Sequence, residues 1–443
     1  MTTGSIFPKL LKFSIPLVLS SILQLFFNAA DIVVVGRFAG DNSLAAVGTT
    51  SSLINLLVNI FVGLSIGSNV VAANYFGAGN KKYLKKTVHT SIVLSVYSGI
   101  ILTLVGIIFA KRILLLMQAP SEVLDLAVKY LRIYFAGITV TMIYNFGSAL
   151  LRAKGDTQRP FYILLLSGIV NVLLNLLFVI KFNMNVEGVA LATVISQSLA
   201  AFLIIYLLFT ENDDFKLELK ELKIDREVFR RIVKIGVPAG FQGIMFSLSN
   251  VIIQSSINTF GSVVIAGNSS AVNIEGFVYT SMNGIAQGTL TFVSQNMGSK
   301  NIKRIKKVVL ESIITVLVLG EALGFLVILY SNKLLGIYSN SIDVIQIGER
   351  RLLIICSTYA LCGIMDTIAN SLRGIGHSLL PVIITMLSVC AFRIMWLISI
   401  FQIERFHTIE IIYLSYPISW LAAFLIMLFC FIRLIKKENF GEK

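Results

Sequence analysis

Five stretches of this 443-residue chain contain no Asp, Glu, Lys or Arg: Asn42 to Asn80, Pro160 to Ile180, Ile235 to Ile274, Gly276 to Ser299 and Ile411 to Ile432. Each reaches or exceeds the roughly 20 residues that an α-helix needs to cross the hydrocarbon core of a bilayer. A soluble core does not require runs of that length. The composition agrees, with 56% of residues hydrophobic and 14% charged, where a soluble domain carries roughly a quarter charged. The chain therefore reads as an all-α membrane protein.

Setting the apolar runs against their charged punctuation predicts twelve transmembrane helices. They lie at about 12–35, 46–72, 87–110, 126–149, 160–181 and 187–209, then 232–257, 265–292, 308–331, 347–370, 379–402 and 409–433. The termini and the segments after even-numbered spans hold 26 Lys and Arg, against ten on the other side. By the positive-inside rule both termini are expected in the cytoplasm, in a bacterial plasma (inner) membrane. The net charge of +14 is then a property of these short loops and not of a nucleic-acid-binding face. Cys356, Cys362, Cys390 and Cys430 lie inside apolar segments without metal or redox spacing, and His89, His377 and His407 show no metal-ligand spacing either. The N-terminus runs through Lys9 and Lys12 into an apolar segment with no small-residue cleavage site, which reads as a retained first helix.

The sequence repeats at an offset of 221 residues. Arg152 and Gly155 lie over Arg373 and Gly376, Pro160 over Pro381, Gly63 over Gly284 and Gly77 over Gly298, while Pro16 and Pro238 differ by 222. Each half holds an even number of spans, so the halves are parallel repeats: two six-helix bundles related by a pseudo-two-fold axis along the membrane normal. Residues 1–209 form the first bundle, 210–231 a cytoplasmic linker and 232–443 the second. The linker charges alternate in sign, which reads as solubilising, and the linker itself as the hinge between halves. Proline early in spans 1 and 7 either leaves the backbone free to bend or caps the helix start.

Three motifs of the first half are Asn28-Ala-Ala-Asp31-Ile-Val-Val-Val-Gly36, Gly77-Ala-Gly79-Asn80 and Leu151-Arg152-Ala-Lys-Gly155-Asp156. The second half answers with Ser294-Gln295-Asn296-Met-Gly298 and Leu372-Arg373-Gly-Ile-Gly376. Together they resemble the multidrug and toxic compound extrusion (MATE) family of antiporters, over essentially the whole chain from about Phe13 to Ile432. The resemblance implies export of cationic, amphiphilic drugs or metabolites driven by inward proton or sodium flow, with no cofactor. The position of Asp31 matches a cation-coupling aspartate of that family, which in one branch is joined by an Asn, an Asp and a Thr from spans 5 and 6. Asn171, Asn175 and Thr193 occupy those places here. Asn175 departs from that branch by lacking its second acid, so the coupling ion stays open between H+ and Na+, with sodium at Asp31 the one metal to expect.

Charges inside a bilayer cost about 2.5 to 3.5 kcal/mol each at a helix centre, so each is a functional candidate. Five qualify: Asp31, Glu275, Glu321, Asp366 and Arg393. Asp31, followed by Ile-Val-Val-Val, must face a cavity or a partner, where it would take a proton from outside and release it inside. Asn171 and Asn175 share a helical face and serve either this site or plain interhelical hydrogen bonding. The substrate cavity is expected to draw on Asn28, Asn145, Glu275, Asp366, Arg393, Tyr144 and Tyr279, its acids attracting organic cations. Asp366 stands where the repeat has Asn145, so the halves differ in charge. For Glu275 the alternative is a structural ion pair with Arg393. Arg152 and Arg373 suit helix capping or lipid phosphate. Met142, Phe146, Phe277, Met282 and Tyr359 suit either an adaptable lining or ordinary packing.

The expected function is secondary multidrug export by cation antiport of organic, mostly cationic, amphiphilic compounds, through alternating access. The alternative is a lipid-linked oligosaccharide flippase of the same broad superfamily. No catalytic triad, metal cluster or phosphate-cradling Gly-Lys-Ser is present, so an enzyme is not expected. The expected partners are small-molecule organic cations and membrane lipids, the expected state a monomer.

Overall fold

The computed structural model describes residues 1–117 and 120–440. Helices account for nearly all of them, and no strand occurs among the described residues. The first half runs α1 (Phe7–Phe38), α2 (Asp41–Gly77), α3 (Lys81–Leu116), α4 (Ser121–Ala136), α5 (Ile138–Lys154), α6 (Gln158–Leu176) with a π-helical continuation Leu177–Lys181, and α7 (Val186–Thr210). The second runs α8 (Arg226–Asn258), α9 (Ser262–Gly298), α10 (Ile302–Leu329), the short α11 (Ser331–Gly336), α12 (Ile342–Cys356) and α13 (Tyr359–Gly374). It continues with α14 (Leu379–Thr385), a π-helical stretch Met386–Ala391, α15 (Phe392–Ile398) and α16 (Ile409–Phe440).

Among the described residues, nine helical segments are long and apolar enough to cross a membrane, and the bent pairs α4–α5 (47°) and α12–α13 (45°) add two. Helix α9 has 37 residues and completes the twelve; Asn, Gln, Ser, Thr and Gly dilute its apolarity. Spans 4 and 10, expected as continuous helices, are thus broken. The first break falls at Gly137, where a Cβ would lie 2.3 Å from Val194 Cγ2, so that a glycine lets α7 press against the bend.

The repeat recurs in the backbone. Left-handed residues stand at Gly40 and Gly261, Gly79 and Lys300, and Gly155 and Gly376, each pair 221 apart. Asn80 and Asn301 follow two of them as N-caps, accepting from Tyr83 N (3.2 Å) and Arg304 N (3.1 Å) and so satisfying donors at the starts of α3 and α10. Lys300 holds φ 55, where its Cβ is crowded and its repeat partner is glycine. Lys300→Gly should stabilise the protein by about 0.5–1 kcal/mol, read as a raised midpoint of thermal unfolding in detergent.

The chain divides into two compact units, Met1–Val18 with Phe241–Lys443, and Leu19–Gly240. These are offset from the repeat halves 1–209 and 232–443: the first turns of α1 join the second repeat, and the first turns of α8 the first. In the Leu19–Gly240 unit, α2 meets α8 through small residues. A Cβ on Gly63 would lie 2.4 Å from Gly240 N, and one on Gly67 2.4 Å from Ile232 O, so only glycine permits this backbone approach. In the other unit, α9 packs against α10, α12 and α13. The start of α1 lies on α9 as well, with Phe13 edge-on to Phe292 at 5.8 Å.

Most charged residues of the linker are exposed, as its alternating charges suggest, but a few of its side chains are anchored. Phe215 is fully buried and Leu217 2% exposed, and the Phe215 ring meets Phe76 at 5.4 Å. Glu211, 7% exposed, pairs with Lys154 and, at 2.5 Å, with Arg159, while Lys154 also holds Asp213 at 2.6 Å. His89 is buried, accepting from Glu218 N at Nε2 (3.0 Å) while Nδ1 bonds Lys85 O (2.7 Å). The linker is therefore strapped to the Leu19–Gly240 unit.

Asp225 ends the strap and caps α8, accepting from Glu227 N and Val228 N at 3.1 Å. The Lys86 ammonium at 2.6 Å, followed by the Val228 amide, holds its carboxyl below the ordinary value. Since folding lowers this pKa, the contribution is fully present above the unfolded value of about 3.9 and is lost as pH falls through the folded one. Thermal stability should fall as pH is lowered from about 5 to 3. Asp225→Asn should start lower at neutral pH and lose less over that range.

Candidate functional site

Asp31 sits in the last two turns of α1, in the Leu19–Gly240 unit. Helix α1 meets α6 at Gly168, where a Cβ would lie 1.8 Å from Phe27 Cε2. The absent side chain thus seats the Phe27 ring against α6. One turn along, Asp31 meets Asn175, two turns beyond Gly168 on the same face. Asn175 Nδ2 donates to Asp31 Oδ1 and also to Asn171 Oδ1 at 3.3 Å. Asn171 Nδ2 donates to Thr193 Oγ1 at 3.4 Å, and the Thr193 hydroxyl to Val189 O at 3.0 Å. All four residues expected from the sequence are therefore joined in one ladder across α1, α6 and α7.

The ladder borders a small cavity of about 90 Å³ lined by Gln24, Phe27, Asn28, Asp31, Leu164, Ser167, Gly168, Asn171, Thr193, Ser196 and Gln197. Two buried amide oxygens, Gln197 Oε1 on this lining and Asn175 Oδ1 on α6, have no hydrogen-bond partner among the described residues. A buried acceptor without a donor is costly. The Asp31 carboxylate, the Thr193 hydroxyl and the Gln197 amide oxygen on this lining are hard oxygen donors, the type that a small alkali cation takes. No group of three or more His, Cys, Asp or Glu able to hold a transition metal occurs among the described residues. Ser167, Ser196, Gln197 and Gln24 had not been singled out from the sequence. Gln197 lies one turn after Thr193 and Gln24 two turns before Asp31, so helical spacing from flagged residues was the available signal.

The residues expected to line a substrate cavity do not form one set. Asn28 is exposed and borders the Asp31 cavity, whereas Asn145 is partly buried on α5. Tyr144 is buried and donates to Pro160 O at 3.1 Å, tying α5 to α6. In the Phe241–Lys443 unit, Asp366 is buried and accepts from Tyr279 OH at 3.1 Å, while Tyr279 is itself 36% exposed. Met142, Phe146 and Met282 are fully buried core residues, which decides for packing.

Glu275 does not pair with Arg393. Its partner is Arg351, four residues inside the expected start of span 10: Arg351 Nη2 and Nε reach Glu275 at 2.5 and 3.2 Å, and Nη1 reaches Asn268 Oδ1 at 3.0 Å. The guanidinium lies over the rings of Tyr413 (5.1 Å) and Tyr416 (5.3 Å). Arg393 instead donates to Ser419 Oγ at 3.0 Å and stacks on Tyr416 at 4.1 Å. Arg373 is buried and bonds Asn370 Oδ1 (2.6 Å) and Gln242 Oε1, so it ties α13 to α8 and does not reach lipid phosphate.

The family model MatE matches residues 16–177 and 238–397. A probable multidrug resistance protein of Bacillus subtilis, YoeA, is 27% identical over 436 residues, covering 96% of this chain and 93% of its own. The probable multidrug resistance protein NorM of Thermotoga maritima is 25% identical over 390 residues, covering 87% and 84%. A solved outward-facing multidrug resistance MATE family transporter superposes with a TM-score of 0.92 at 21% identity, over 98% of this chain and 97% of that one. These likenesses give the flippase alternative no support. The chain belongs to the MatE family, the multidrug and toxic compound extrusion transporters, and is a multi-pass membrane transporter and not an enzyme.

Proposed function

We propose that this transporter is a secondary multidrug exporter in which a monovalent cation, H+ or Na+, enters at Asp31, Asn171, Asn175 and Thr193 and drives efflux of organic, mostly cationic, amphiphilic compounds. The observation that carries the reading is the Asp31 cavity, whose lining includes the Gln197 amide oxygen, left without a partner among the described residues. A proton would reside on the Asp31 carboxyl, whose Oδ1 accepts from Asn175 Nδ2. A sodium ion would be held by the same carboxylate with the amide and hydroxyl oxygens around it. Efflux follows by linkage, because an ion bound more tightly in one access state shifts the population toward it, and parallel repeats supply alternating access.

The substrate class is carried over from relatives named for multidrug resistance and export. In the second unit, Asp366 with Tyr279 is the acid placed to meet a cationic substrate. The protein works as a monomer among bacterial plasma-membrane lipids, both termini in the cytoplasm, a reading that the distribution of basic loops supports. Cells expressing it should exclude ethidium, and collapsing the proton gradient or withdrawing sodium should abolish exclusion. Exclusion unchanged by both treatments overturns the reading.

A further inference from the structure

Glu321 lies on the exposed face of α10, in the Phe241–Lys443 unit, on a helix that carries neither Asp31 nor Asp366. It is exposed, and so are Ile314 (51%), Leu317 (42%), Val318 (63%), Phe325 (65%) and Leu329 (60%) around it on the same helix. No hydrogen bond or ion pair to its carboxyl occurs among the described residues. Its depth follows from its neighbour: a Cβ on Gly320 would lie 2.6 Å from Met282 Sδ and 3.2 Å from Ala360 Cα, and Met282 is near the middle of α9 (Ser262–Gly298). The end of α10 at Leu329 is eight residues away, about 12 Å at 1.5 Å per residue, beyond the reach of a glutamate side chain. Between Lys307 and Lys333 there is no Lys or Arg to pair with it. The carboxyl is therefore presented to hydrocarbon, where an acid with no partner is disfavoured and is retained for a role.

We propose that Glu321 is a docking site for amphiphilic organic cations dissolved in the bilayer, separate from the ion site at Asp31. Charge complementarity selects the occupant. A single acid in an uncharged apolar face attracts a cation that already partitions into lipid, and the exposed Phe325 ring one turn on offers a cation–π face. A hydrophilic cation does not reach this depth. Docking here raises the local concentration of lipophilic substrates. That consequence rests on the exporter reading, whereas the binding itself does not.

The test uses the purified full chain in lipid nanodiscs. Lipid-soluble dicyclohexylcarbodiimide reacts when the carboxyl oxygen bonds its central carbon and the carboxyl proton moves to nitrogen; the acyl group then migrates to nitrogen, giving a stable N-acylurea with no other reagent consumed. Peptide mass mapping should find the adduct on Glu321, and the Glu321→Gln variant should lack that adduct alone. Tetraphenylphosphonium should slow labelling of Glu321 roughly fivefold or more, and choline should not. In transport, Glu321→Gln should raise the half-saturating tetraphenylphosphonium concentration by a similar factor at unchanged maximal rate, with a hydrophilic cation unaffected. Labelling that tetraphenylphosphonium does not slow overturns the proposal, as does labelling blocked only when two copies share a nanodisc, which would assign the face to self-association. Protection without any transport by the wild-type protein would uphold the site and remove the exporter reading.

Discussion

Asp31→Asn is expected to lower ion-driven efflux by roughly 100-fold, the upper part of the ~1–3 kcal/mol range of coupling free energies, while leaving the protein folded. Asparagine keeps the shape of the side chain, and its carbonyl oxygen still accepts from Asn175 Nδ2 as the Asp31 carboxylate does. The α1–α6 contact at Phe27 and Gly168 is untouched. What disappears is the charge that holds a proton or a sodium ion. Substrate affinity measured without an ion gradient should stay close to wild type, and thermal stability should change little. Measured efflux at the wild-type rate would remove Asp31 from the mechanism.

Arg351→Met should be the most destabilising single change in the Phe241–Lys443 unit, by about 3–5 kcal/mol, because it strands a buried carboxylate. Glu275 is 6% and Arg351 2% exposed, and the guanidinium also serves Asn268, Tyr413 and Tyr416. Thermal unfolding in detergent should show the loss, and adding Glu275→Gln to Arg351→Met should restore much of it by removing the stranded charge. Arg393→Met should cost less, since Arg393 gives up one hydrogen bond to Ser419 and its stacking, with no carboxylate left behind. Equal losses for the two arginines would contradict the pairing.

The contrast between those arginines shows where the sequence was legible and where it was not. The 221-residue repeat could be read from Arg152 and Arg373, and it recurs in the paired left-handed residues and in the Asn80 and Asn301 caps. The Asp31 ladder was likewise legible, because Asn171 and Asn175 share a helical face and resemblance supplied their third partner. The partner of Glu275 was not. Arg351 stands nine residues into α12, four residues inside the expected start of span 10, and only the packing of α12 on α9 buries it. The exposed charges of the linker were legible in its alternating composition; its anchoring by two apolar residues, Phe215 and Leu217, and by the pairing of Glu211 was not. Spacing records which residues share one helix face; it does not record which helix comes to meet it.

The central claim is that ion entry at the Asp31 cavity drives the outward movement of substrate. Its most direct measurement loads proteoliposomes of the wild-type protein with a fluorescent organic cation and imposes a proton or a sodium gradient separately. One of the two ions should drive substrate movement against its concentration gradient and flow the opposite way, with both fluxes lost in Asp31→Asn. Substrate movement at equal rate with no gradient, or counterflow that survives in that variant, would contradict the account.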